Sequence, residues 1–305
     1  MQPLVSIIIP TFNRAHVIGE TLNSVLSQTY SNWECIIVDD GSTDETFNLL
    51  AKYCEKDSRI SYYLRPVKRL KGANACRNFG FENSKGKYIQ WLDSDDFLSE
   101  NKLEEQVLLM KEDSSNLITS IWGRFTNPNK LITYSNYSSF NDFDNIRGFL
   151  NALAISKGYF PIHAYLMSRD VVMKSGGWDE SLIVNQDGEF MSRIFKYVNK
   201  FYCAINTSVF YKQNDGNSTS IYSSIEKAEA AIKIWRKISK RLKNESKSYV
   251  FNNKKLLYKN IKITYPGLVY KNLYFFVDVF LYNWYQTSLI RRLIIKINKF
   301  FISKK

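Results

Sequence analysis

Three carboxylates, Asp93, Asp95 and Asp96, stand within four residues at the end of the apolar run that begins at Tyr88. Carboxylates that close repel one another unless a cation shares the site. Their hard oxygens suit Mg²⁺ or Mn²⁺, which keep several waters and take phosphate oxygens as further ligands. Two more polar clusters end apolar runs in the same way. Pro10-Thr11-Phe12-Asn13-Arg14 follows residues 4–9, and Asp39-Asp40-Gly41-Ser42 follows residues 34–38.

Elements of alternating type must bring these clusters together. Residues 4–9, 34–38, 60–64 and 88–92 read as short β-branched or aromatic strands, with a further strand over 116–121. Between them, residues 15–28 and 101–112 show helical periodicity, and Ser42 and Thr43 before Asp44 and Glu45 mark a helix start. That alternation predicts an α/β fold with a mostly parallel central sheet. Ligands of such sheets bind at the carboxyl ends of the strands, so all three clusters are expected at one edge. No G-x-G-x-x-G follows the first strand and no G-x-x-x-x-G-K-[ST] occurs, so the glycine cradles of dinucleotide and P-loop sites are missing. A divalent metal is the natural substitute for binding a diphosphate. Residues 123–160, rich in Asn, Ser, Tyr and Phe with little period, read as loops and short elements. Order returns at 164–168 and in a helix over 187–198, before the polar stretch 212–220.

The formal net charge is +13, but it is unevenly placed. Residues 221–305 hold 19 Lys and Arg against 4 Asp and Glu, and residues 1–220 hold 23 against 25. A nucleic-acid-binding reading of the whole chain loses its support. Cys35, Cys54, Cys76 and Cys203 show no metal spacing and no close pairs, which fits a reduced compartment. The N-terminal apolar run is too short for a signal peptide, and no run reaches the roughly 20 residues of a membrane span. A cytoplasmic location is expected. In the basic tail, 225–243 reads as a helix. At 289–301, Leu289, Ile290, Leu293, Ile294, Ile297, Phe300 and Phe301 share an arc of about 140°, with Arg291, Arg292, Lys296 and Lys299 outside it. A cationic amphipathic helix of this kind can lie in an anionic membrane interface.

The ordered set of motifs resembles family 2 glycosyltransferases of the GT-A fold, a Rossmann-like three-layer sandwich. It is carried by Pro10 through Arg14, Val38 through Asp44, Gly72 through Gly80, Leu92 through Asp96, Gly176 through Glu180 and Gln186-Asp187. The resemblance covers roughly residues 4–220 and sets the expected domains: a catalytic domain over 1–220, with a nucleotide-sugar half (1–122) and an acceptor half (123–220), then a helical tail over 221–305. It implies an inverting transfer of a sugar from a nucleotide-diphospho-sugar, UDP-linked by expectation. The acceptor is a saccharide or polyprenyl-linked hydroxyl in surface polysaccharide assembly, on the inner face of the cell membrane. Pro10, Thr11, Asn13, Asp40, Arg77, Asp93 and Asp96 would contact the donor, with Asp40 taking the base N–H. Asp95 and Asp93 would hold Mg²⁺ or Mn²⁺, Asp96 being the rival ligand. Asp187 would be the base, although the family's acidic pair here reads Gln186-Asp187. His163, Trp178 and Glu189 would border the acceptor. A nucleotidyltransferase of similar fold and a catalytically silent carbohydrate- or membrane-binding relative are the competing readings.

Overall fold

Buried apolar runs build one half of a sheet. β1 (Val5–Thr11), β2 (Trp33–Asp39), β3 (Ile60–Leu64) and β4 (Tyr88–Trp91) pair in the order β3-β2-β1-β4, all parallel, with Ile8 opposite Ile36 on one side and Trp91 on the other. β1 is buried at every residue, as a parallel strand covered on both faces requires. The crossovers carry α1 (Ile18–Leu26), α2 (Thr46–Lys56) and α3 (Ala73–Asn83). α3 comes so near β1 that a Cβ at Gly80 would lie 2.6 Å from Ile8 Cγ2. Only glycine permits that approach, and it fixes the height of Arg77 one turn earlier.

A computed structural model describes residues 2–111, 113–126, 130–156, 159–213 and 222–287. After β4 come β5 (Phe97–Leu98), α4 (Lys102–Leu109), β6 (Asn116–Phe125), β7 (Leu131–Thr133), α5 (Ile146–Ser156), β8 (Leu166–Ser168), α6 (Arg169–Ser175), α7 (Gln186–Ile194) and β9 (Lys200–Lys212). The sheet continues as β4-β8-β6-β9-β5, with β7 on β6. β8 runs antiparallel to β4 and β6, while β6 and β9 are parallel to each other. The expected α/β architecture is therefore present.

Two features depart from the sequence reading. Residues 123–160 are more regular than expected: β6 extends to Phe125 and α5 buries Phe149, Leu150, Leu153 and Ala154 on one face. β9, which the sequence reading passed over, is 13 residues long. Its partners on β6 jump from Ala204 to Ser208, a bulge that leaves the polar Asn206-Thr207 pair outside the ladder.

The chain forms two compact units, Met1–Thr219 and Ser220–Lys305. The second contains α8 (Ile225–Leu242), α9 (Lys247–Thr264), α10 (Pro266–Lys271) and α11 (Leu273–Thr287). α8 forms where the periodicity places it, burying Ala228, Ala231, Ile232, Ile238 and Leu242. Ser224 and Ser246 cap α8 and α9 by accepting from the Lys227 and Tyr249 N–H groups, and Pro266 opens α10. The amphipathic helix expected over 289–301 lies outside the described residues. Among the described residues, no helix is long and apolar enough to cross a membrane.

Candidate active site

The carboxyl ends of β1, β2 and β4 meet at a cleft of ≈ 360 Å³, lined by Thr11, Asp40, Arg77, Asp93 and Asp95 among others. The three clusters converge there, as parallel strands dictate. The β2 end is shaped by Gly41, whose φ of 94° belongs to the left-handed region that glycine tolerates. Asp39 accepts from the Ser42 N–H and hydroxyl at 3.0 and 2.7 Å, tightening that turn. Asp40 is then left facing the cleft, paired with the Arg65 guanidinium.

Arg77 is the cation that the acidic strand end requires. Its Nη2 donates to Asp93 Oδ1 at 2.6 Å, while Nη1 donates to Asn74 Oδ1 at 3.0 Å and Gln186 Oε1 at 3.3 Å. Its guanidinium carbon also lies 4.4 Å from the centroid of the Trp178 ring. Burial works against the charge, but Asp93 and Asp187 more than offset it and raise the Arg77 pKa. Arg77 Nε and Thr11 Oγ1 are buried without a hydrogen-bond partner among the described residues. Polar atoms orphaned in a cleft wall are what an incoming polar ligand can satisfy.

The three aspartates take different positions. Asp95 lines the cleft, with Arg14 Nε 3.9 Å away. Burial first, then the Asp96 and Asp93 charges, push its carboxyl up to about 6, with Arg14 a partial counterweight. Asp93 also lines the cleft but is engaged by Arg77. Asp96 is 1% exposed, accepts from the Lys212 N–H at 2.8 Å and lies 3.0 Å from His163 Nδ1. Burial raises its pKa while His163 opposes the rise. Asp96, expected to contact the donor, pins the end of β9 to the acidic turn and is not among the residues that line the cleft.

A fit for Mg²⁺ or Mn²⁺ rests on Asp95 and Asp93. Among the described residues, no three His, Cys, Asp or Glu side chains form a metal-holding cluster. One or two carboxylates are what Mg²⁺ takes when substrate phosphates complete its shell, so this donor set suits such an ion.

Asp187, at the first turn of α7, does not line the cleft but lies within electrostatic reach of Arg77, Asp93, His163 and Asp96. Burial pushes it up to about 6; Arg77 pulls the other way and Asp93 adds to the rise. The 176–186 segment that delivers it is tied to α3. Asn74 Nδ2 donates to the Asp179 carbonyl, Asn78 Nδ2 to the Trp178 carbonyl, each at 2.8 Å, and the Trp178 N–H donates back to Asn78 Oδ1.

The three residues expected to border the acceptor are all buried. His163 is 0% exposed and committed to Asp96, and Glu189 is 2% exposed and clamped by Arg193 Nη2 at 2.9 Å. Trp178 is 3% exposed, stacked on Phe190 with centroids 4.1 Å apart. Asn13 is a brace: its N–H donates to Ser42 Oγ and its Oδ1 accepts from the Thr43 N–H, both at 2.8 Å. Pro10 lines the cleft.

Three side chains were not found in the sequence. Arg65 occupies Asp40, and Tyr211 and Lys212 reach the cleft from the end of β9. Burial and then the charges of Asp96, Asp93, Asp95 and Asp187 raise the Tyr211 phenol to about 12.

Sheet order and cleft together define an α/β protein of the GT-A class. The chain belongs to glycosyl transferase family 2, whose profile matches residues 6–176. It is 39% identical over 141 residues to the UDP-Glc:alpha-D-GlcNAc-diphosphoundecaprenol beta-1,3-glucosyltransferase WfgD of Escherichia coli, covering 43% of this chain and 54% of that one. It is 42% identical over 113 residues to the putative teichuronic acid biosynthesis glycosyltransferase TuaG of Bacillus subtilis, covering 37% and 44% respectively. Matches to the curated relatives span between 18% and 54% of their lengths. The crystal structure of S. aureus TarS 1-349 in complex with UDP-GlcNAc aligns at a TM-score of 0.65 with 19% identity, covering 84% of this chain and 70% of that one, a likeness of fold.

Proposed function

We propose that the chain is an inverting, metal-dependent glycosyltransferase that moves a sugar from a UDP-linked donor to a hydroxyl of a saccharide or lipid-linked saccharide, in surface polysaccharide assembly. One observation carries the reading. Asp40, Arg77, Asp93 and Asp95 share one cleft at the carboxyl edge of a parallel sheet, with Asp187 electrostatically coupled to it. The glucosyl transfer of WfgD to a lipid-linked saccharide, and the assignment of TuaG to teichuronic acid biosynthesis, support the substrate class.

In this reading Asp40 accepts from the base N–H, and Arg77 holds Asp93 toward the diphosphate. Asp187 takes the proton from the acceptor hydroxyl as that oxygen bonds to the anomeric carbon. The bond from anomeric carbon to diphosphate oxygen breaks, and its electron pair leaves with the nucleoside diphosphate. Asp95 and Asp93 would hold Mg²⁺ or Mn²⁺, which would supply Lewis-acid neutralisation of that leaving group. A carboxyl near 6 is matched to the base's task, being ionised at neutral pH yet basic enough to accept a proton. We place the protein on the cytoplasmic face of the membrane, where a lipid-linked acceptor would be reached.

A panel of nucleotide-sugars with Mn²⁺, read by thermal shift, tests the donor. A bound donor at a hundred times its Kd adds about 2.7 kcal/mol of apparent stability. Stabilisation by one UDP-sugar, followed by its consumption with acceptor, is expected. A flat panel would sink the reading. Binding without consumption against an acceptor panel would favour the silent relative.

A further inference from the structure

The C-terminal unit holds a cavity of its own. It measures ≈ 870 Å³ and opens between α8, α9 and α11. Its wall includes Phe251, Val250, Tyr274 and Phe275, and its rim carries Arg236, Lys240, Lys243, Lys247 and Lys254. Only one acid, Asp278, lines it, and both its oxygens are taken by Lys254 Nζ at 2.7 and 2.8 Å. Arg236 donates to the neutral amide oxygen of Asn272 at 2.7 Å. Lys240, Lys243 and Lys247 are exposed and make no ion pair among the described residues. Ser239 Oγ, on the wall, is buried without a hydrogen-bond partner among the described residues.

An apolar pocket with four rim cations that no acid of its lining neutralises fits one kind of ligand: an anion on an apolar chain. Its mouth agrees. Tyr274, 94% exposed, begins a stripe along α11 that continues through Val277, Leu281 and Trp284, at 44%, 56% and 57%. Spacings of three and four residues place these side chains on one helix face. Tyr and Trp on such a face suit the level of lipid head groups.

We propose that this cavity binds the terminal phosphate and first chain carbons of a membrane lipid. The three free lysines and Arg236 meet the phosphate, Phe251 and Phe275 meet the chain, and the α11 stripe rests against neighbouring lipid. The site lies wholly within the C-terminal unit and its test uses no nucleotide-sugar, so its failure leaves the transferase reading standing.

The full chain is sedimented with phosphatidylcholine vesicles containing phosphatidic acid, or phosphatidylserine at matched surface charge. Tighter binding to phosphatidic acid is expected. K240A/K243A/K247A, all surface changes that leave the fold intact, should weaken that binding by about tenfold or more. K255A/K259A/K262A, the same charge loss elsewhere on α9, should change it by less than about threefold. Equal losses from the two triples, or equal binding to the two anionic lipids, overturn the site in favour of diffuse surface attraction. A thermal shift with soluble dihexanoyl phosphatidic acid but not with inorganic phosphate is expected. Equal shifts would mean that free phosphate is the ligand and overturn the lipid assignment.

Discussion

The two units handle charge in opposite ways. The cleft of the N-terminal unit gathers Asp40, Asp93 and Asp95 and sets a counter-cation against each: Arg65, Arg77 and, more loosely, Arg14. The cavity of the C-terminal unit gathers five cations around a single acid. The former is nearly balanced, with residual negative charge concentrated at Asp95 and Asp187. The latter is open and unbalanced. Balanced, partly buried charge shifts pKa values and suits chemistry. Unbalanced, exposed charge suits attraction of an anion. If the contrast is right, changes in the two places should separate transfer from lipid binding.

Asp187→Asn is expected to have the largest effect. Losing a general base costs about 10²–10⁴-fold in kcat, with little change in donor-induced thermal shift. In the unmodified protein kcat/KM should rise about tenfold per pH unit below roughly 6 and flatten above, since the base must be ionised. A flat profile between pH 5 and 7, or a fully active variant, would take the base role from Asp187.

Asp95→Asn comes next. Removing a metal-binding carboxylate should lower kcat/KM by about 10²-fold or more and weaken Mn²⁺-dependent donor binding, while phosphatidic acid binding stays as it was. The converse sharpens the comparison: K240A/K243A/K247A should leave transfer to a soluble acceptor within about twofold, because surface substitutions away from a site rarely matter more. Loss of soluble-acceptor transfer in that triple would break the separation.

Much of the cleft was legible because its parts sit at strand ends, and strand ends are readable from apolar runs and their stops. Asp40 and Asp95 fall at such ends, whereas Arg77, on α3, was indicated by the family resemblance alone. What escaped was whatever depends on the direction of a side chain within a turn. Asp95 and Asp96 are adjacent, yet one faces the cleft and the other faces His163, 67 positions away. No local period survives in such a turn, so composition could not separate them. Trp178 and Glu189 carry the residue types of a sugar site, but packing on Phe190 and pairing with Arg193 use them up. Tyr211 and Lys212 were hidden differently. Asn206-Thr207-Ser208 interrupts the apolar alternation of β9 at its bulge, and the strand that delivers them reads as loop. For α5, Phe149, Leu150, Leu153 and Ala154 did mark a helical face, masked by polar neighbours and by Gly148.

The smallest predicted effect concerns stability, and its sign distinguishes the two units. Asp95 has its folded pKa raised from 3.8 to about 6, so the native state keeps that proton longer than the unfolded chain does. Between about pH 4 and 6 the unfolded state therefore loses its proton first, and stability falls as pH rises through that window. At 1.36 kcal/mol per pKa unit the ceiling is about 3 kcal/mol. The side chain is 26% exposed with Arg14 nearby, so solvent screening brings the expectation to ~1 kcal/mol. Asp95→Asn should then raise the Tm of the ligand-free protein by about 2–4 °C at pH 7 and by little at pH 4. The same substitution that impairs transfer would thus stabilise the fold, as expected where charge is assembled for a ligand. The lysine triple should shift stability by no more than about 0.5 kcal/mol at either pH, since exposed ammonium groups are solvated in both states. Destabilisation by Asp95→Asn at pH 7 would mean that the carboxylate is already compensated within the protein, and the cleft would lose its main mark of a site made for a cation.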